Sequence, residues 1–369
     1  MSPLSADPAG ARAEGQRLLR AFIDAGAQAV ETPVLQPAEV LLDLYGEDIR
    51  ARAYVTQDPL AGEMMLRPDF TVPVVQAHME EGAEPARYAY LGRVYRKQEE
   101  PGTARASEYL QVGFELFDGS DRAGADAEVF ALIHDLLAPL GLRAAIGDIG
   151  ILRAAVAGLP TSEARKAALM RHLWRPGRFR ALLQRYAGRR PPSPERAALL
   201  ERLARGERPQ SDAPHIGLRS RAEIRARLDR LAEDAAAPPL PAGLVDALEA
   251  MLAIRAKAPQ ATEELQKSAR AMPWILEAVA GMAARLERMA ARGIDIEALD
   301  FEASYGRTSM EYYDGFVFGL YAEARLDLPP VASGGRYDAL TSVLGQGRSI
   351  PAVGGVIRPE MVVALQGGR

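Results

Sequence analysis

The sequence predicts an α+β protein, two regions of strands and helices separated by a helical block. Two β-forming runs, residues 88–96 and 112–117, enclose a polar loop containing Pro101-Gly102, as in an antiparallel hairpin. A second strand pair is marked by Phe316, Val317, Phe318, Leu320 and Tyr321, then the break Pro329-Pro330 and the pair Gly334-Gly335. Between these regions, residues 153–300 are rich in Ala, Leu, Arg and Glu at helical spacing, exemplified by Leu244, Leu248, Met251 and Leu252.

Composition narrows the functional classes. A chain of 369 residues holds two domains with a sizeable core. A net charge of −4 argues against a broad nucleic-acid-gripping face. With no cysteine, disulfides and thiolate chemistry are excluded. His78, His134, His172 and His215 are too scattered to suggest a metal cluster, and structural or surface roles are expected for them. The N-terminus lacks the pattern of a secretory signal, and no apolar run reaches the roughly 20 residues of a membrane span, so a cytoplasmic protein is expected.

In chain order, Leu18, Leu19, Phe22 and Ile23 predict one apolar face of a first helix, with Gly26 closing it. Ala29 to Leu35 reads as a strand containing Pro33, and Tyr54-Val55-Thr56 as another. Asp69 and Thr71 precede the apolar run Val72 to Val75, as at a helix start. Gln111 and Glu115 are four apart, so an extended strand points both to one face. Asp126 to Leu140 predicts an amphipathic helix, and residues 142–152 a strand and turn. Loops are expected at Arg189–Ser193 and Ala237–Pro241. Arg219, Arg221, Arg225 and Arg227 alternate with Glu223, Asp229, Glu233 and Asp234, which favours a solvated mixed-charge helix over a nucleic-acid patch. Tyr312 and Tyr313, beside Glu311 and near the glycine pair, suit either a small-molecule pocket or a core strand with buried tyrosines.

These stretches together resemble the catalytic core of the histidyl-tRNA synthetases, a class II family, over residues 10–368. EYYDGFVFGLY resembles the family's DYY–VFE segment, ASGGRYDAL its AGGRYD turn, and MMLRPDFT its LRPEGT loop. The first helix, the strand after it and Pro33 are similar to motif 1, which forms much of the class II dimer interface. Residues 88–117 are similar to motif 2, residues 142–152 to the LGDLGIL element, and residues 345–365, with Pro351-Ala352-Val353-Gly354, to motif 3. The resemblance implies a histidine-binding set of Asp69, Thr71, Arg96, Gln111, Glu115, Tyr312 and Tyr313. Asp69 would meet the amino group, and Arg96 offers the carboxylate an always-charged donor fork.

Departures from the family fall on its phosphate chemistry. The motif 3 arginine aligns with Met361, beside a retained Glu360, and the arginine before the DYY segment aligns with Thr308, next to Arg307. In motif 2 the glutamate is Gln98 and the second arginine aligns with Ser107, with Arg105 nearby. The resemblance also leaves no space after Met361 for the anticodon-binding domain. The resemblance implies an α+β fold, a class II synthetase-like antiparallel sheet flanked by helices, with a core divided as residues 1–152 and 301–369 around a helical insertion at 153–300. A synthetase core with these losses is similar to the ATP phosphoribosyltransferase regulatory subunits. That family implies a non-catalytic chain and a short-form ATP phosphoribosyltransferase partner. It further implies a hetero-octamer built on a motif 1 homodimer, and L-histidine as feedback effector, with no cofactor, metal, nucleic acid or membrane. The alternatives are a divergent histidyl-tRNA synthetase and a synthetase-like translation accessory protein.

Overall fold

The computed structural model describes residues 7–45, 52–98, 106–209, 219–307, 312–325 and 327–367. Its strands are β1 (Gln28–Ala29), β2 (Leu35–Pro37), β3 (Val55–Asp58), β4 (Gly62–Leu66), β5 (Ala86–Tyr95) and β6 (Glu108–Phe117). They continue as β7 (Arg143–Asp148), β8 (Arg255–Lys257), β9 (Asp300–Glu302), β10 (Phe316–Tyr321), β11 (Ala332–Arg336) and β12 (Ala352–Ile357). Nine form one sheet in the order β1-β5-β6-β12-β11-β10-β7-β9-β8, and β2-β4-β3 form a small second sheet. The centre, β5 to β7, is antiparallel throughout; β1 on β5 and β9 on β7 are parallel. Short strands extend both edges, β1 from the N-terminal part of the chain on one side and β9 and β8 from the end of the helical block and from within it on the other.

The first helix, Pro8–Asp24, is capped by Asp7, whose Oδ1 accepts the Gly10 N–H at 2.8 Å. It buries Ala11, Gly15, Leu18 and Phe22, while Ile23 points outward, so the apolar stripe is rotated from the expected one. Gly26, at φ +93°, follows the helix in the left-handed region. The strand expected over Ala29–Leu35 is split into β1 and β2, because Pro33 has no N–H to offer a ladder. The helix Thr71–Glu81 begins as read, and the helix Arg122–Leu137 starts earlier than Asp126, with Asp121 capping the Gly124 N–H at 2.8 Å. Residues 142–152 give β7 followed by a helix, Ile149–Ala157, capped by Asp148.

The block 153–300 is not purely helical: β8 joins the main sheet, and the helix Leu276–Ala291 packs on Arg122–Leu137. The helix Arg221–Ala236 buries none of its residues and starts with a Ser220–Glu223 capping box, as suits a mixed-charge solvated helix. Gly334-Gly335 lies inside β11, not in a turn. Gly334 faces Gly355 and Gly335 faces Gly354 across the β11–β12 ladder. A Cβ at Gly334 would stand 2.4 Å from both the Gly354 carbonyl and the Phe318 ring, so the strands meet where only glycine fits.

Candidate functional site

The site is built on the β5–β6 hairpin, where Gly92 faces Gln111, Tyr90 faces Gly113 and Tyr88 faces Glu115. Alternation puts Gln111, Gly113 and Glu115 on one face. Gly113 leaves room for the Tyr90 ring, whose hydroxyl would sit 2.3 Å from any Cβ there. Across the next ladder, a Cβ at Gly354 would stand 1.6 Å from Glu115 Oε2. Two glycines therefore make the space that one carboxylate and one phenol fill.

Glu115 is the hub. Its Oε1 accepts the Tyr90 hydroxyl at 2.8 Å and the Thr71 hydroxyl at 3.0 Å, and its Oε2 accepts the Tyr337 hydroxyl at 2.6 Å. Burial pushes the carboxyl up to about 7, more than the three hydroxyl bonds pull it down, and the nearby Asp69 charge adds to the rise. The Tyr90, Tyr313 and Tyr337 hydroxyls are all raised by burial and then by Glu115. Tyr312 reaches Thr71 Oγ1 at 3.5 Å and packs edge-on against Tyr313 and Tyr337. Asp69 is buried at the start of the 71–81 helix, where its Oδ1 accepts the Val72 N–H at 3.4 Å. Arg96 donates from Nε to the Pro68 carbonyl at 2.7 Å, and its charge bears on the Tyr313 hydroxyl.

Six of the seven expected residues are thus linked by contact or charge. Gln111 shares the face, and its buried Oε1 has no hydrogen-bond partner among the described residues. Arg67 serves the scaffold instead: it donates to the Arg93 and Thr32 carbonyls and lies over the Phe70 ring. Two partners of Glu115 escaped the sequence reading, Tyr90 and Tyr337. Tyr90 was legible as every second residue of β5, and Tyr337 as the tyrosine of GGRYD.

The positions where the resemblance puts phosphate-facing residues look different. Met361, 2% exposed, belongs to the apolar core. Glu360 beside it accepts the Leu110 N–H at 2.8 Å, its carboxyl raised by burial. Arg307 does not replace the missing arginine: it donates to the Leu173 carbonyl at 2.7 Å and lies over the Phe179 ring, and burial lowers its pKa to about 10. Gln98 is spent on the Arg96 and Ala106 carbonyls. Thr308, Arg105 and His215 lie outside the described residues.

An antiparallel class II synthetase-type core, with a buried polar cluster on its central strands, is the class that this fold and site define. The histidyl-tRNA synthetase family model matches residues 6–237 and 218–362. An ATP phosphoribosyltransferase regulatory subunit of Agrobacterium fabrum is 34% identical over 95% of this chain and 96% of that relative. One from Brucella ovis is 32% identical over 92% of this chain and 94% of its own. Among solved structures, an ATP phosphoribosyltransferase regulatory subunit/histidyl-tRNA synthetase from Bacillus halodurans superposes with a TM-score of 0.66 at 23% identity, covering 96% of this chain and 79% of that one. A histidyl-tRNA synthetase from Nostoc gives 0.63 at 16% identity, over 98% and 73%. The chain belongs to the ATP phosphoribosyltransferase regulatory subunits, a branch of the histidyl-tRNA synthetase-like family.

Proposed function

We propose that this chain is the non-catalytic regulatory subunit that a short-form ATP phosphoribosyltransferase requires for the first step of L-histidine biosynthesis, and that it makes the enzyme sensitive to L-histidine. The observation that carries this reading is the asymmetry of the site. A buried acid with three hydroxyl donors persists, while Met361 lies in apolar core at the motif 3 arginine position. In-line attack on a phosphate needs preorganised positive charge, and methionine supplies none.

Histidine offers an ammonium, a carboxylate and an imidazole. Asp69 and Glu115 suit the cationic donors, Arg96 the carboxylate, and Thr71, Gln111, Tyr312 and Tyr313 the remaining hydrogen bonds. The chain works in the cytoplasm with no cofactor, as a core of residues 1–152 and 301–369 around an insertion at 153–300. Homodimerisation uses the motif 1 side, where Val34, Leu35, Tyr54, Val55 and Leu60 are exposed around the small sheet. Two such dimers with four catalytic chains make a hetero-octamer.

The test is reconstitution. The short phosphoribosyltransferase should be weakly active alone, activated by this chain, and histidine-sensitive only in the mixture. Glu115→Ala removes one charge-assisted bond, worth about 1.5–3 kcal/mol, so half-inhibition should need roughly 10- to 100-fold more histidine while activation persists. A variant inhibited like the parent would show that the effector binds elsewhere, and a mixture without activation would sink the assignment.

A further inference from the structure

Arg285 lies on the helix Leu276–Ala291 in line with Val279, Met282, Leu286 and Met289, an arginine in an apolar stripe. It is 5% exposed, and it is held from three sides. Nη1 donates to Asp126 Oδ2 at 3.0 Å, Nη2 donates to Asp148, and the guanidinium lies 4.4 Å from the Phe316 ring centroid. Asp126 is shared: its Oδ1 accepts Arg336 Nε at 2.9 Å. Arg336 also donates to Asp338 Oδ1 at 2.9 Å and to the Arg122 carbonyl at 3.0 Å. The next residue is Tyr337, whose hydroxyl meets Glu115 Oε2 at 2.6 Å. Two buried arginines and one shared aspartate therefore fix the backbone from which Tyr337 reaches the site.

Resting on the reading of the pocket given above, we infer that Arg285 is a positioning residue for the effector site: it holds Asp126 and Arg336, hence Tyr337 and Glu115, to the helix that carries it. A lysine at 285 keeps the charge but, as a point charge, does not span both carboxylates as a planar fork does. Coupled residues depart from additivity, and a double-mutant cycle measures this.

The full chain with its catalytic partner is compared as parent, Arg285→Lys, Tyr337→Phe and the double variant. Each single change should raise the half-inhibitory histidine concentration about three- to tenfold, and the double change should add little to the larger single one. For Arg285→Lys, activation without histidine should stay within about twofold, a combination that loss of packing alone does not produce. A fall in melting temperature with parent-like histidine sensitivity would overturn the inference, as would singles whose effects multiply. If Arg285→Lys does not fold, Asp148→Asn keeps the Gly150 cap yet removes one counter-charge. It should shift histidine sensitivity about two- to threefold the same way, and no shift there also overturns it. The two readings fail separately. A shifted Glu115→Ala with parent-like Arg285→Lys defeats the role of Arg285 alone, whereas a parent-like Glu115→Ala defeats the pocket and this inference together.

Discussion

The two sides of the site have diverged in opposite directions. Around Glu115, three hydroxyls donate to the carboxylate, and glycines at 113 and 354 keep open the space that it and Tyr90 need. Around Met361, the side chain that would face a phosphate is packed among apolar neighbours. Removing an arginine from a core costs nothing once its anionic ligand is no longer bound, since an apolar side chain of similar length fills the volume without a desolvation penalty. A buried carboxylate held by three hydroxyls is different, because removing it strands three donors. An arginine position in such a core passes easily to an apolar side chain, while the Glu115 cluster resists replacement through the donors it holds.

The largest effect that would break this contrast is Met361→Arg. If the position is true core, burying an unpaired guanidinium should cost about 3 kcal/mol or more in denaturant unfolding and should not restore histidine-dependent pyrophosphate exchange. A stable variant that exchanges pyrophosphate would show that the phosphate side survives.

A smaller effect concerns Glu115. Its folded pKa of about 7 lies above the ordinary carboxyl value of 4.5, so between these the folded chain binds more protons than the unfolded one. The stabilisation is complete below about pH 4.5 and is lost as pH rises through about 7. Glu115→Gln should flatten the decline in melting temperature between about pH 5 and 8. An unchanged slope would mean that Glu115 is already ionised throughout that range.

Much of the fold was legible in local patterns. The β5–β6 hairpin, the helix after Thr71 and the β10–β11 pair follow from β-branched and aromatic runs set off by proline and glycine. The edges of the sheet were not: β1, β8 and β9 are two or three residues long and are fixed by their neighbours rather than by their own propensity. Within the site, sequence spacing could place Gln111 and Glu115 on one face, because a strand has a fixed period. It could not bring Arg285 to Asp126, since nothing in the spacing of two distant helices sets their packing. The one trace was an arginine in an apolar stripe, which more often marks a snorkelling surface residue.

Glu115 also sets a donor count. A carboxylate has about four lone-pair sites, and Thr71, Tyr90 and Tyr337 occupy three. Among the described residues one acceptor site is left, so at the effector site proposed above a ligand would direct a single N–H at this acid. An imidazole N–H matches that valence; the forked guanidinium of arginine and the three-donor ammonium of lysine would leave donors unmatched at this buried acid, at about 1–3 kcal/mol each. Selection among basic amino acids would then be made by counting donors rather than by charge or size. Titrating the reconstituted enzyme with arginine and lysine should give no inhibition at histidine's effective concentration, and inhibition by either would show that the acid keeps more than one free lone pair.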